Sequence, residues 1–79
     1  MSRAHARAAQ TISGVVVHFD AAKRFGFIAR DDGGANLFFH ADAARSINPA
    51  DLTQGLRVTA TVGSDRTGRA RADLVERAP

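Results

Sequence analysis

Four of the five phenylalanines in this 79-residue chain fall in two short stretches, Lys23-Arg24-Phe25-Gly26-Phe27-Ile28 and Leu37-Phe38-Phe39-His40. Read as strands, both are apolar on each side. Phe25 and Phe27 share one face opposite Gly26 and Ile28, and Leu37 and Phe39 share one face opposite Phe38 and His40. A chain of this length has one modest core, so it cannot cover both faces. If Ile28, Leu37 and Phe39 fill the interior, then Phe25, Phe27 and Phe38 stand outside beside His40. Gly26 favours that choice, because a glycine pointing inward suits a tightly curved wall. Three exposed rings on neighbouring strands call for a partner.

The rest of the chain reads mostly as β. Thr11 to Phe19 is rich in β-branched residues and gives a first strand, and Asp20-Ala21-Ala22-Lys23 turns into a second from Arg24 to Arg30. Asp31-Asp32-Gly33-Gly34 carries turn chemistry and leads into a third strand, Asn36 to His40. From Ala41 to Gln54 the period of two is lost, and Asn48-Pro49-Ala50-Asp51 sits in the middle. A long surface connection with one or two short helical turns is expected there. Leu56 to Val62 and Arg69 to Arg77 give strands four and five, joined by Gly63-Ser64-Asp65-Arg66-Thr67-Gly68. Five short strands with no substantial helix predict an all-β fold, a small five-stranded antiparallel barrel. Residues 1–10 read as a disordered basic tail and 11–78 as the domain.

Charge excludes some uses and leaves others. Eleven Lys and Arg face eight Asp and Glu, for a formal net charge of +3. Setting aside Arg3 and Arg7 leaves nine cations against eight acids, so the domain is close to neutral despite a pI of 11.1. An anion-binding surface must therefore come from local clustering, and the clusters are Lys23-Arg24 and Arg66, Arg69 and Arg71. With no cysteine there is no disulfide framework and no thiolate metal site, and His5, His18 and His40 lack zinc-cluster spacing. No signal peptide or membrane span is read, and a reducing, cytoplasmic setting is expected. His40 and Asp42 have no placed nucleophile, so catalysis is not expected.

Unpaired nucleobases offer flat π-faces, and aromatic stacking is worth about 1–3 kcal/mol per base. Lys23 and Arg24 lie where they could hold phosphates beside such a stack. The competing use of the rings is a homodimer seam, another protein-interaction surface, or burial under the long connection.

These residues resemble a known family, the cold-shock domain of bacterial cold-shock proteins and eukaryotic Y-box proteins. The family's first ribonucleoprotein motif, K-G-F-G-F-I, matches Lys23 to Ile28 except that Arg24 replaces a Gly. The second, V-F-V-H-F, is echoed by Leu37-Phe38-Phe39-His40. Gly14-Val15-Val16-Val17-His18-Phe19 resembles the opening strand, Leu52 to Val58 the entry to the fourth, and Gly68 to Leu74 the last. The resemblance implies a Greek-key oligonucleotide/oligosaccharide-binding (OB) fold that binds single-stranded RNA and DNA with little sequence preference, as an RNA chaperone or a regulator of transcription or translation. The implied partners are single-stranded RNA and DNA, bound by a monomer without cofactor, metal or small-molecule substrate.

Carried onto this chain, the binding face comprises Val17, His18, Phe19, Lys23, Arg24, Phe25, Phe27, Phe38 and His40, with Arg66 or Arg69 of the last hairpin assisting. The chain departs from the family at three of its surface positions. His18 stands where a Trp is usual, Val17 where a base is usual, and Ala41 where an aromatic is usual. Ala41 removes a platform, and Val17 gives up a phosphate contact. His18 offers a smaller ring on which a base can stack. Arg24 compensates with a planar guanidinium, which can pair with phosphate or stack on a base. Strict alternation places Val16 and His18 on the side opposite Phe19. Bringing both His18 and Phe19 to the surface requires a bend or bulge in the first strand.

Overall fold

A computed structural model describes residues 10–79. Five strands, β1 (Gln10–Asp20), β2 (Phe25–Arg30), β3 (Leu37–His40), β4 (Arg57–Ser64) and β5 (Ala70–Arg77), close into a barrel in the order β1-β2-β3-β5-β4. Four of the pairings are antiparallel, and the β3–β5 pairing that completes the Greek key is parallel. The expected tail overlaps this description only at Gln10, which opens β1; residues 1–9 lie outside the described part of the chain.

β1 closes the barrel by serving two neighbours. Its first half, Gln10 to Val15, pairs with β4, and its second half, Gly14 to Asp20, pairs with β2. Gly14 belongs to both ladders and is buried at the crossing. A Cβ there would run into the Ala29 carbonyl oxygen and come within 2.8 Å of the Ile28 side chain. The close approach of two backbones is what requires glycine at this point.

The interior is filled as the alternation demands. Val16, Ile28, Leu37, Phe39, Val58 and Val75 are almost wholly excluded from solvent, each contributing about 1.5–3 kcal/mol through burial. Gly26 is also inside, and a Cβ there would meet the His18 carbonyl oxygen and stand 2.9 Å from the Phe39 ring. The core ring thus occupies the volume that a side chain at Gly26 would need.

The connection between β3 and β4 contains two 3₁₀ turns, Ala41–Ala44 and Pro49–Asp51. It is less superficial than its sequence suggests. Ala43, Ala44, Ile47 and Leu52 join the core cluster and cap one end of the barrel. These four apolar residues follow no period of two because each is delivered by a turn, not by a strand. Among the described residues, no helix is long and apolar enough to cross a membrane.

Candidate nucleic-acid interface

Strand register assembles the outer face row by row. His18 pairs with Phe27, Phe27 with Phe38, and Phe38 with Arg71 across the parallel β3–β5 ladder. Directly opposed residues share a face, so these four side chains form one row across four strands. Asp20, Phe25 and His40 form the next row. Phe25, Phe27 and Phe38 touch one another, with ring centroids 5.6–6.1 Å apart and interplanar angles of 36°, 71° and 85°. The tilts are those favoured by ring quadrupoles. All three rings remain half-exposed on the outside of the wall.

The first strand does carry a bulge, though not one that brings both His18 and Phe19 to the surface. The β1–β2 register shifts between Val16 and His18, leaving Val17 as the extra residue. Val16 stays inside, and the shift brings His18 out beside Phe27. The same shift turns Phe19 inward, which corrects its placement on the binding face. Phe19 pairs with buried Gly26, stacks on Phe39 at 5.9 Å and 14°, and packs against the core. The bulge turns His18 and Phe19 to opposite sides of the strand, so His18 lies in the row of outer rings and Phe19 stays half-buried against the core. Val17 is half-buried and brings no charge.

The turn between β1 and β2 is fixed by Asp20. Its Oδ1 accepts from the N–H groups of Ala22 and Lys23, both at 3.0 Å, and its carbonyl accepts from the Arg24 N–H at 2.6 Å. Lys23 is exposed at the end of this turn. Arg24 follows with φ of 63°, a left-handed conformation costing about 1–2 kcal/mol for a residue with a Cβ. His40 is oriented by the turn that follows it: its Nδ1 accepts from the Asp42 N–H at 3.1 Å. The bond engages the Nδ1 side of the imidazole with the turn.

The hairpin between β4 and β5 is organised by Asp65. Its Oδ1 accepts from the Thr67 hydroxyl at 2.6 Å and from the N–H groups of Thr67 and Arg69 at 2.8 and 3.0 Å. The Thr67 hydroxyl, aided by these N–H groups, holds the Asp65 carboxyl below the usual carboxylate range. The loop so formed brings Arg69 and Arg71 to a cleft lined by Phe27 and Phe38, with Asp65 in its wall. Arg71 also lines a second cleft with Phe38, His40, Asp42, Arg45 and Asp73. Arg66 is exposed at the loop tip and lines neither cleft.

His18, Phe25, Phe27, Phe38, His40, Arg69 and Arg71 are therefore gathered on one face, with Lys23 and Arg24 at its edge. Arg71 earns a place among the site residues that sequence spacing alone did not give it, because only the β3–β5 register sets it beside Phe38. Among the described residues, no group of three or more His, Cys, Asp or Glu is arranged to hold a metal ion.

Comparison with known proteins agrees with this barrel. Residues 12–78 match the family model described as the "'Cold-shock' DNA-binding domain". The chain belongs to the cold-shock domain family. It is 39% identical over 62 residues to Cold shock protein CspA of Rhizobium meliloti, a match covering 77% of this chain and 90% of that protein. It is 36% identical over 64 residues to Cold shock-like protein CspB of Escherichia coli K12, covering 81% and 90%. Glycine-rich protein 2 of Nicotiana sylvestris is 41% identical over 63 residues, which is 80% of this chain and 29% of that longer protein.

Proposed function

We propose that this protein binds single-stranded RNA and DNA with low sequence specificity by stacking bases on Phe25, Phe27 and Phe38, and that it acts in the cytoplasm as an RNA chaperone or a regulator of transcription or translation. The observation that carries this reading is the three-ring cluster left half-exposed on the barrel wall, between His18 on one side and His40 and Arg71 on the other. Rings without a base-edge code accept any nucleobase, so low specificity follows from the chemistry of the face. The role is binding and not catalysis, and a monomer suffices, because all the named side chains come from one chain.

Anisotropy of a labelled single-stranded oligonucleotide of about six to eight bases tests this reading. Binding at low salt is expected, with a duplex of the same sequence much weaker. Because the domain is nearly neutral, the salt dependence should be shallow, roughly 0.7 in log-log slope for each of a few phosphate contacts. No binding at low salt, together with concentration-dependent self-association, supports the alternative that the rings form a protein-interaction or dimerisation seam.

A further inference from the structure

Arg24 is the only non-glycine residue with positive φ among the described residues. Its backbone is held on both sides: its N–H donates to the Asp20 carbonyl at 2.6 Å, and its carbonyl accepts from the Ala41 N–H at 2.8 Å. The residue therefore sits between the ends of β2 and β3, one step beyond the Phe25–His40 pair. Glycine occupies such a position without steric cost. An arginine held there, with its side chain 58% exposed, is not a core residue whose burial would offset the strain. Backbone strain at a surface residue beside a binding face points to what its side chain does.

The neighbours narrow the chemistry. The Arg24 Nη2 lies 3.7 Å from the Asp42 Oδ1, and the Arg24 side chain remains 58% exposed, so one loose contact leaves most of the planar group open to a ligand. The Asp42 carboxylate, 79% exposed, repels a phosphate arriving at the same spot but does not repel the face of a base. Across the backbone hydrogen bond stands Ala41, a methyl group with no ring to offer. We propose that the Arg24 guanidinium is a further stacking platform, taking an unpaired nucleobase one step past Phe25 and His40, with Asp42 as the residue that positions it. The proposal rests on the single-strand binding proposed above. It assigns to Arg24 a base and not a phosphate.

An abasic scan decides the matter. Oligonucleotides with a single abasic site at each position in turn are titrated against the wild-type chain, Arg24→Lys and Arg24→Gly. Lys keeps the charge and the backbone strain but has no flat face, while Gly removes all three. At one position, base removal should weaken wild-type binding about fivefold or more and leave both variants unaffected. Both variants should bind the intact strand correspondingly less well, with the salt slope unchanged. If Arg24→Lys binds like wild type while Arg24→Gly loses about 0.7 of salt slope, Arg24 holds a phosphate and the platform is overturned. Wild-type affinity in both variants overturns it as well. Failure of the wild-type chain to bind any of these strands sinks the parent reading instead.

Discussion

The aromatic face and the end of the barrel where the β2–β3 turn meets β4 and β5 draw on the same residue types and treat them differently. At that end Arg57 meets Asp31 at 2.6 Å and Arg77 meets Asp51 at 3.0 Å. Arg30 grips Asp32 through two contacts of 2.7 and 3.1 Å, which holds the carboxyl of Asp32 below its ordinary range. Around the rings the pairs are looser, Arg24 to Asp42 at 3.7 Å and Arg71 to Asp73 at 3.6 Å. A close bidentate pair keeps its charge to itself, whereas a loose exposed pair leaves its arginine available to a ligand, a phosphate at Arg71 and a base at Arg24. Net charge is thus a poor guide to this molecule. A nearly neutral domain keeps a face of available cations by neutralising the arginines elsewhere.

The strongest way to break the comparison is to exchange neighbours on β3. Phe39→Ala empties the core and should cost about 3–5 kcal/mol of stability, a large share of what a small domain has, seen as a sharp fall in the denaturation midpoint. Phe38→Ala, one residue away on the outer face, should leave the chain folded and weaken single-strand affinity by about 1–3 kcal/mol. If the two variants exchanged these outcomes, the assignment of inside and outside would be reversed.

Arg24→Gly should raise stability by about 1–2 kcal/mol, since it relieves the left-handed strain. Thermal unfolding should then move up by about 4–8 °C per kcal/mol. Arg71→Gln and Arg57→Gln sharpen the contrast between the two regions. The first should lower the salt slope of single-strand binding by about 0.7 and the second should leave it unchanged. The smallest effect concerns pH. The folded Asp65 carboxyl titrates below its unfolded value, so its contribution is complete above about pH 4 and is lost as pH falls through the depressed folded value. Melting curves between about pH 5 and 2 should therefore show a steeper acid loss for wild type than for Asp65→Asn.

Much of this was legible in the sequence. Alternation, with Gly26 to choose the side, put Ile28, Leu37 and Phe39 inside and Phe25, Phe27 and Phe38 outside, and turn chemistry marked the hairpins to within one or two residues. The resemblance, which sets both His18 and Phe19 on the surface against strict alternation, pointed to a bulge in the first strand. What failed to show was non-local or aperiodic. Phe19 turns inward because the bulge falls at Val17, a choice set by pairing with β2. Arg71 reaches Phe38 only through a parallel register between strands separated by residues 41–69 of the chain. Ile47 and Leu52 enter the core from turns, where no period advertises burial. The left-handed backbone of Arg24 was hidden because glycine is the residue that normally signals it.

The central claim is that the rings, and not the charge at large, form the binding surface. Chemical-shift mapping by NMR during titration with a single-stranded oligonucleotide tests it most directly. Large changes are expected at Phe25, Phe27, Phe38, His40 and Arg71, and little at Arg30, Arg57 and Arg77. Changes concentrated on those three arginines, with the phenylalanine ring signals unmoved, would contradict it.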